Sequence, residues 1–428
     1  VMAVIGDLAT GTAAPILGTA LAARAAAGLE AATRIPSATL TRFLGETRDR
    51  GGLPRGAIVV VDEAGMVGTG TLAALSELVE DARGKLILVG DHRQLPEIEA
   101  GGLFRALATR LPVVELTENV RQQEPWEQEA LAELRDGSVS RAVDAYRERR
   151  RVVLGSSPEE TLERAVGDWY HHVEASGDLE GTLLVAHSNA TVAELNDRAR
   201  DLMARAGRLR GATLKAGEQT YQAGDRVLCR KNRTRLRVLN GDLGTVVDVD
   251  PKPRSLTVQL DRNGETRVLP AWYLADGHLG YGYALTGHKA QGVTVRRSFT
   301  VAGVGADREW TYVTMSRGRE ANTLYLASPD PEENRCTHLA HQQPEAARGL
   351  AQALERTTAQ VAAIDHGDRR SPDPNDVHSL GPPPPGSDVA ARAAWLMARR
   401  RITRDLERQR QGRRGVSERE PRALGIGR

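Results

Sequence analysis

The strongest constraint on the fold lies between residues 58 and 90. Two uninterrupted aliphatic runs, "IVVV" at 58–61 and "KLILVG" at 85–90, flank "GTLAALSELVEDARG", where Leu72, Leu75 and Leu78 recur at helical spacing. A strand that is apolar at every position has to be covered on both faces, as in a parallel sheet lined by helices. Strand, helix and strand in so short a span form the βαβ unit of such a sheet. "VVELT" (113–117) predicts a further strand. "EPWEQEALAELRDG" and "SRAVDAYRERR" predict helices, the first stopped by Gly137.

A second α/β segment starts at "GTLLVAH" (181–187), followed by the helix "NATVAELNDRARDLMARAG" with Asn189 as its N-cap. From Gly224 to Trp272 the pattern changes to short strands broken by turns: "DRVLCR", "NGDLGTVVDV", "SLTVQL" and "ETRVLP". "NG" at 240–241 and "DRNG" at 261–264 favour tight turns, and the whole suggests a small barrel inserted into the second α/β domain. The α/β pattern resumes at "GYALTGHKAQG" and runs through "RSFTVAG" and "NTLYLAS". The expected domains are 1–118, a helical connector at 119–180, a second α/β domain at 181–223 and 273–328, and the barrel at 224–272. Weakly ordered sequence with a proline-rich linker follows at 329–387, then a basic helix or tail at 388–428. No internal repeat is apparent.

With 40% hydrophobic and 27% charged residues in a chain of 428, the composition is that of a soluble protein with a real core. No apolar run is long enough for a membrane span. The opening "VMAVIGDLATG" lacks the basic leader of a secretion signal. Two distant cysteines, Cys229 and Cys336, argue for a reducing compartment, and the expected location is cytoplasmic. From Ala391 to Arg428 there are twelve arginines against four acids, so the tail is suited to nucleic acid or an acidic partner, or is simply a solvated end.

Asp62 and Glu63 follow a buried strand directly. Such a pair suits a Mg²⁺–nucleotide site, one carboxylate holding the ion and the other accepting a proton from attacking water; a solvated turn is the alternative. The next strand ends at Asp91 and offers Gln94 as a neutral hydrogen-bonding partner for a γ-phosphate. Adjacent parallel strands bring both segments to the sheet edge where ligands bind. Arg121 in "LTENVRQ" and Arg317 in "TYVTMSRGRE", read as lying in different domains, can offset charge on a phosphoryl group, although either alone reads as a surface arginine. "TGHKAQG" supplies Thr286, His288, Lys289 and Gln291 for contact with phosphates or bases.

These segments in this order, "VVVDEAGM", "LVGDHRQLPEIEAGG", "LTENVRQ", "YALTGHKAQG" and "YVTMSRGRE", resemble the motor motifs of superfamily 1B (RecD-like) DNA helicases. The resemblance is strongest to the helicase portion of TraA-type conjugative relaxases and covers residues 1–328. It implies two RecA-like P-loop NTPase domains with an SH3-like barrel that touches displaced DNA. It also implies ATP and Mg²⁺ as cofactors, single-stranded DNA as partner alongside conjugative transfer proteins, no membrane insertion, and 5′ to 3′ movement. Asp62 then corresponds to the metal ligand, Glu63 to the base, and Gln94, Arg121 and Arg317 to the γ-phosphate contacts, with Asp91 nearby. Thr39, Thr286, His288, Lys289 and Gln291 correspond to DNA-facing positions. The stretch from Ile16 to Leu44 resembles a DNA-contacting loop and helix. Gly287 and Val120 depart from the family's usual larger residues. The histidine cluster of a relaxase is absent, and "CTHLAH" (336–341) has no second cluster to complete a metal site.

A working motor needs G-x-x-x-x-G-K-[ST]. Here Gly6 and Gly11 keep the glycine spacing, but Thr12 stands at the lysine position and Ala13 at the Mg²⁺-binding hydroxyl; the first lysine anywhere is Lys85. Pro15 follows at once, and the helix and strand that should come next are missing, which threatens the first domain's stability. The expectation is an ancestral ATP-dependent helicase region with crippled hydrolysis. The alternatives are a non-hydrolysing ssDNA-binding module, or a truncated or decaying gene product.

Overall fold

The computed structural model describes residues 14–96, 101–116, 119–303, 305–327 and 357. The first of these segments forms β1 (Ile16–Ala20), α1 (Ala23–Thr33), β2 (Ser37–Thr39), α2 (Leu40–Asp49), β3 (Ile58–Asp62), α3 (Thr69–Asp81) and β4 (Lys85–Leu88). The four strands make a parallel sheet in the order β2-β1-β3-β4. Val59, Val60 and Val61 are completely buried, as a continuously apolar strand requires. Ala20 is in register with both Thr39 and Asp62, so the carboxyl ends of β2, β1 and β3 line up. The stretch expected to give a loop and a helix gives two strands, β1 and β2, each followed by a helix. β1 enters between β2 and β3 because Gly18 allows close approach; a Cβ there would lie 2.9 Å from Leu29 Cδ2.

The chain divides into two compact units, one of Val1–Met66, Ser76–Pro96 and Val114–Ala359, the other of Val67–Leu75, Glu97–Val113 and Gln360–Arg428. In the second, the described residues are the start of α3 and helix α4 (Leu103–Ala108), with Leu72, Leu75, Phe104 and Ala106 buried. Gly102, at φ 81°, turns the chain into α4, and the Thr69 hydroxyl donates to the Gly101 carbonyl at 3.4 Å.

The first unit continues with α5 (Pro125–Asp136), α6 (Val139–Glu148), β5 (Val152–Gly155), α7 (Pro158–Ser176), β6 (Thr182–Ala186) and α8 (Asn189–Arg205). The hairpin β7 (Arg210–Ala216) and β8 (Gln219–Ala223) leads to β9 (Arg226–Cys229), β10 (Leu243–Asp250), β11 (Ser255–Leu260), β12 (Thr266–Leu269), α9 (Ala271–Ala275) and β13 (Leu279–Tyr281). Then come β14 (Ala284–Thr286), α10 (Gly287–Ala290), β15 (Val295–Ala302), α11 (Arg308–Met315) and β16 (Gly318–Ala327). A second parallel sheet runs β14-β6-β15-β16-β5, and an antiparallel one runs β12-β11-β10-β9-β13. Alternate residues of β6 serve two cores. Leu184 and Ala186 join Trp169, Tyr325 and the antiparallel sheet, while Leu183 and Val185 join Leu131, Trp310 and Leu324.

Helix signals read as expected where they are local. Pro125 opens α5, and Gly137 closes it at φ 95°. The cap of α8 differs: Ser188, not Asn189, accepts the Thr191 N–H, because Asn189 is already helical. The strand expected at 113–117 is absent over its described residues. Val113, Val114 and Leu116 are 57%, 91% and 65% exposed and pair with no strand, so β-propensity has no ladder to join. "NG" at 240–241 makes a tight turn inside the long β9–β10 loop, the Asp242 N–H donating to the Leu239 carbonyl at 3.1 Å, and "DRNG" joins β11 to β12. The antiparallel sheet takes in β13, past Trp272. Among the described residues no helix is long and apolar enough to cross a membrane.

Candidate functional site

Asp62 is the last residue of β3, and Glu63 turns the chain away with φ 53°, a left-handed conformation that side chains other than glycine rarely adopt. The Glu63 N–H donates to Asp62 Oδ1 at 3.0 Å, and the Ala64 N–H to the Val89 carbonyl at 2.8 Å, so β4 braces the turn. Burial, with the Glu63 charge beside it, pushes the Asp62 carboxyl up to about 6 against the opposing backbone hydrogen bond. A chain of side chains starts here. Gln291 Nε2 donates to Glu63 Oε2 at 3.1 Å and to Gln94 Oε1 at 3.4 Å, and Gln94 Nε2 donates to Asp91 Oδ2 at 3.3 Å. The carboxyl edge of the first sheet therefore meets the loop before β15, and Gln291 Oε1 is left buried without a partner.

Arg121 and Arg317 lie near enough to Glu63 to feel its charge. Arg317 is 1% exposed and donates to the Val313 carbonyl (2.6 Å), the Val293 carbonyl (3.4 Å) and Ser316 Oγ (2.7 Å). Arg121 Nη1 donates to the Ser316 carbonyl at 3.0 Å. The two arginines are thus neighbours, Arg121 bonding to the loop that carries Arg317. Burial and the adjacent Arg121 charge lower Arg317 to about 9, with Glu63 and Tyr312 opposing; burial also lowers Arg121. Among the described residues neither guanidinium contacts a carboxylate. Burying a cation without a contacting anion costs several kcal/mol, about what an anionic ligand with several oxygens could offset.

"TGHKAQG" forms the end of β14 and α10, with Thr286 Oγ1 accepting the Lys289 N–H at 3.4 Å. Burial lowers both His288 and Lys289, Asp307 opposing the first and Arg230 reinforcing the second. Asn196 of α8 fixes β14 by accepting from the Tyr283 and Ala284 N–H groups and donating to the Ala284 carbonyl. Gly287 has a physical reason: a Cβ there would overlap the Trp310 indole, 2.6 Å from Cδ1. Trp310 fills the volume that a larger residue would take. Val120 is 79% exposed, so that departure disturbs no packing. Thr39 caps α2 through the Arg42 N–H (3.4 Å), in register with Asp62 across β1.

Several contributing residues escaped the sequence reading. Tyr312 lies close enough to Asp91, Arg121 and Arg317 to feel all three charges. Gln122 Nε2 bridges the Ser316 and Gly318 carbonyls, and Asn322 closes the Gly318 turn through both its N–H and its carbonyl. Glu127, 1% exposed, accepts from the Asn322 backbone and side chain. All were visible only as polar residues in otherwise amphipathic segments. Gly6, Gly11, Thr12 and "CTHLAH" lie outside the described residues. No cluster of histidine, cysteine or acidic groups among the described residues could hold a metal alone. Mg²⁺ commonly binds through one or two carboxylates and substrate phosphates, a pattern that Asp62 fits.

A family model described as an AAA domain matches residues 1–157. The conjugal transfer protein TraA of Agrobacterium fabrum is 35% identical over 355 residues, 82% of this chain. A probable TraA of Sinorhizobium fredii is 36% identical over 318 residues, 73% of this chain. The chain belongs with the TraA conjugal transfer proteins. It spans 31% and 28% of those TraA proteins. The fold of this TraA-type region is that of the Pif1 helicase from Bacteroides crystallised with ADP-AlF3 and ssDNA. That match has a TM-score of 0.52 and 16% identity, covering 82% of this chain and 91% of the other. An α/β fold with mixed parallel and antiparallel sheets, resembling a P-loop NTPase/helicase core, is thereby shown.

Proposed function

We propose that this chain is the nucleotide-binding, ssDNA-gripping helicase region of a conjugative-transfer relaxase, built from two RecA-like domains and an SH3-like barrel, with its ATP hydrolysis crippled. One observation carries the reading: Glu63, Gln94 and Gln291 join in one hydrogen-bonded chain beside Asp62, and Arg121 and Arg317, which contact no carboxylate among the described residues, lie near enough to Glu63 to feel its charge. ATP–Mg²⁺ supplies the polyphosphate charge and the cation that such a cluster suits. Asp62 would ligate the ion, Glu63 accept a proton from water, and Gln94 hold a phosphoryl oxygen with Asp91 fixing its amide. Arg121 and Arg317 would offset phosphoryl charge, and Gly6, Gly11 and Thr12 would flank the phosphates. Thr39, Thr286, His288, Lys289 and Gln291 would grip the strand.

The crippling follows from Thr12 and Ala13. Losing one preorganised donor costs about 10²–10³ in rate, and here the cation and the hydroxyl are both gone. Purified protein with ssDNA is expected to turn over ATP only at trace levels. Turnover near about one per second or faster, within the ordinary enzyme range, contradicts the proposal. Location in the cytoplasm among conjugative transfer proteins belongs to the same reading.

A further inference from the structure

The β9–β10 loop reads "RKNRTRLR" (230–237), five basic residues in eight with no acid. The charges of Lys231, Arg235 and Arg237 are exposed, while the loop itself is pinned by paired backbone bonds between Arg233 and Val238 and by a turn of 3-10 helix at Thr234–Leu236. Beside it, on α9, Trp272 is 48% exposed. An indole in water next to fixed cations calls for an explanation. Arg233 lies over the ring at 5.7 Å from its centroid, and its Nη2 is 3.4 Å from His278 Nε2. Tyr273 packs edge-on against Trp272 at 5.8 Å and donates its hydroxyl to the Lys231 carbonyl at 3.0 Å, so loop and platform are tied.

The same indole lines a pocket of about 410 Å³ together with Leu214, Ala216, Arg254, Ala271 and Leu274. That volume lies in the ~300–1,000 Å³ range of small-molecule sites. Arg254 holds its rim by donating to the Lys215 carbonyl at 2.8 Å, and Lys215 and Lys252 are exposed nearby in sequence. The acids of these elements are Glu218, Asp242, Asp248, Asp250 and Asp276, of which Asp242 pairs with Arg262 at 3.0 Å. Asp250 caps the Lys252 N–H, and Asp276 pairs with His278 at 3.3 Å. At the other end of the loop, Arg230 lies against Gly280 and is near enough to Lys289 to depress it, so the basic path reaches "TGHKAQG".

We propose that Trp272, flanked by Arg233 and the Arg254-rimmed pocket, is a base-stacking platform for single-stranded DNA whose phosphates run along the 230–237 loop. This rests on the strand-gripping part of the reading above and assigns a second, base-contacting site outside "TGHKAQG". Stacking on an exposed aromatic is tolerant of sequence, and the surrounding cations give it salt dependence.

The test is salt-titrated fluorescence anisotropy of the full chain with a labelled thymidine strand of about 20 nucleotides and an abasic strand of equal length. Trp272→Ala is expected to weaken binding to the thymidine strand about tenfold and to leave abasic binding unchanged, with Trp272→Phe restoring most of the loss. Arg235→Ala is expected to weaken both strands and flatten the salt slope. Since Trp272 is half exposed, circular dichroism should show each variant folded. Equal affinity of wild type and Trp272→Ala for the thymidine strand overturns the platform alone. No binding by folded wild type at about 50 mM salt overturns the strand-gripping reading and the platform together.

Discussion

Asp62 sits at the junction of structure and chemistry. Its carboxyl, raised to about 6 by burial and by Glu63, binds a proton in the folded protein over a range where an unfolded aspartate has already lost it. Its contribution to stability is therefore whole in acid and is lost as pH rises from the ordinary aspartate range through about 6. Ligand binding runs the other way, because a metal must displace that proton. Mg²⁺-dependent binding of a non-hydrolysable ATP analogue is expected to weaken about tenfold per pH unit below about 6, and Asp62→Asn to abolish that slope. Titrations between about pH 5 and 7 check this; a flat profile in wild type contradicts it. The residue types were legible in advance, since a carboxylate pair after four aliphatic residues has few uses. The left-handed turn at Glu63 and the company of Tyr312 were not, because both depend on how β4 and α11 pack against the pair.

At the scale of elements, α10 shows why a local departure can be harmless. Gly287 looks like a loss by family pattern, yet Trp310 from α11 occupies the space. Gly287→Ile is expected to destabilise the protein by about 1–3 kcal/mol through overpacking. Adding Trp310→Leu should recover part of that loss, a non-additivity readable in urea denaturation. Simple additivity of the two changes would deny the compensation. Strands β3 and β6 were legible because burial on both faces writes a continuous apolar run. The run at 113–117 was equally apolar but has no neighbouring strand, so composition alone misled. β1 was hidden by its small residues, and the hairpin β7–β8 by alternation too weak to read.

At the scale of the whole molecule, the order of segments carried the resemblance, and the structure brings Glu63, Gln94 and Gln291 into one hydrogen-bonded chain with Arg121 and Arg317 near enough to feel the Glu63 charge. The polar lattice of Gln122, Glu127 and Asn322 fixes the loop that carries Arg317 and anchors Arg121. No periodicity announces such a lattice, since each member is a single polar residue whose partners are far along the chain. Under the proposed function a triphosphate binds beside Glu63, Arg121 and Arg317 although Thr12 and Ala13 stand where its cradle should be. Isothermal titration with Mg²⁺ and a non-hydrolysable ATP analogue tests it most directly, with Arg317→Met as the control. Measurable binding by wild type is expected, with about 10- to 100-fold weaker binding by Arg317→Met and thermal stability unchanged or raised because a buried cation has been removed. Absence of heat from folded wild type, or equal affinity of the two proteins, would contradict it.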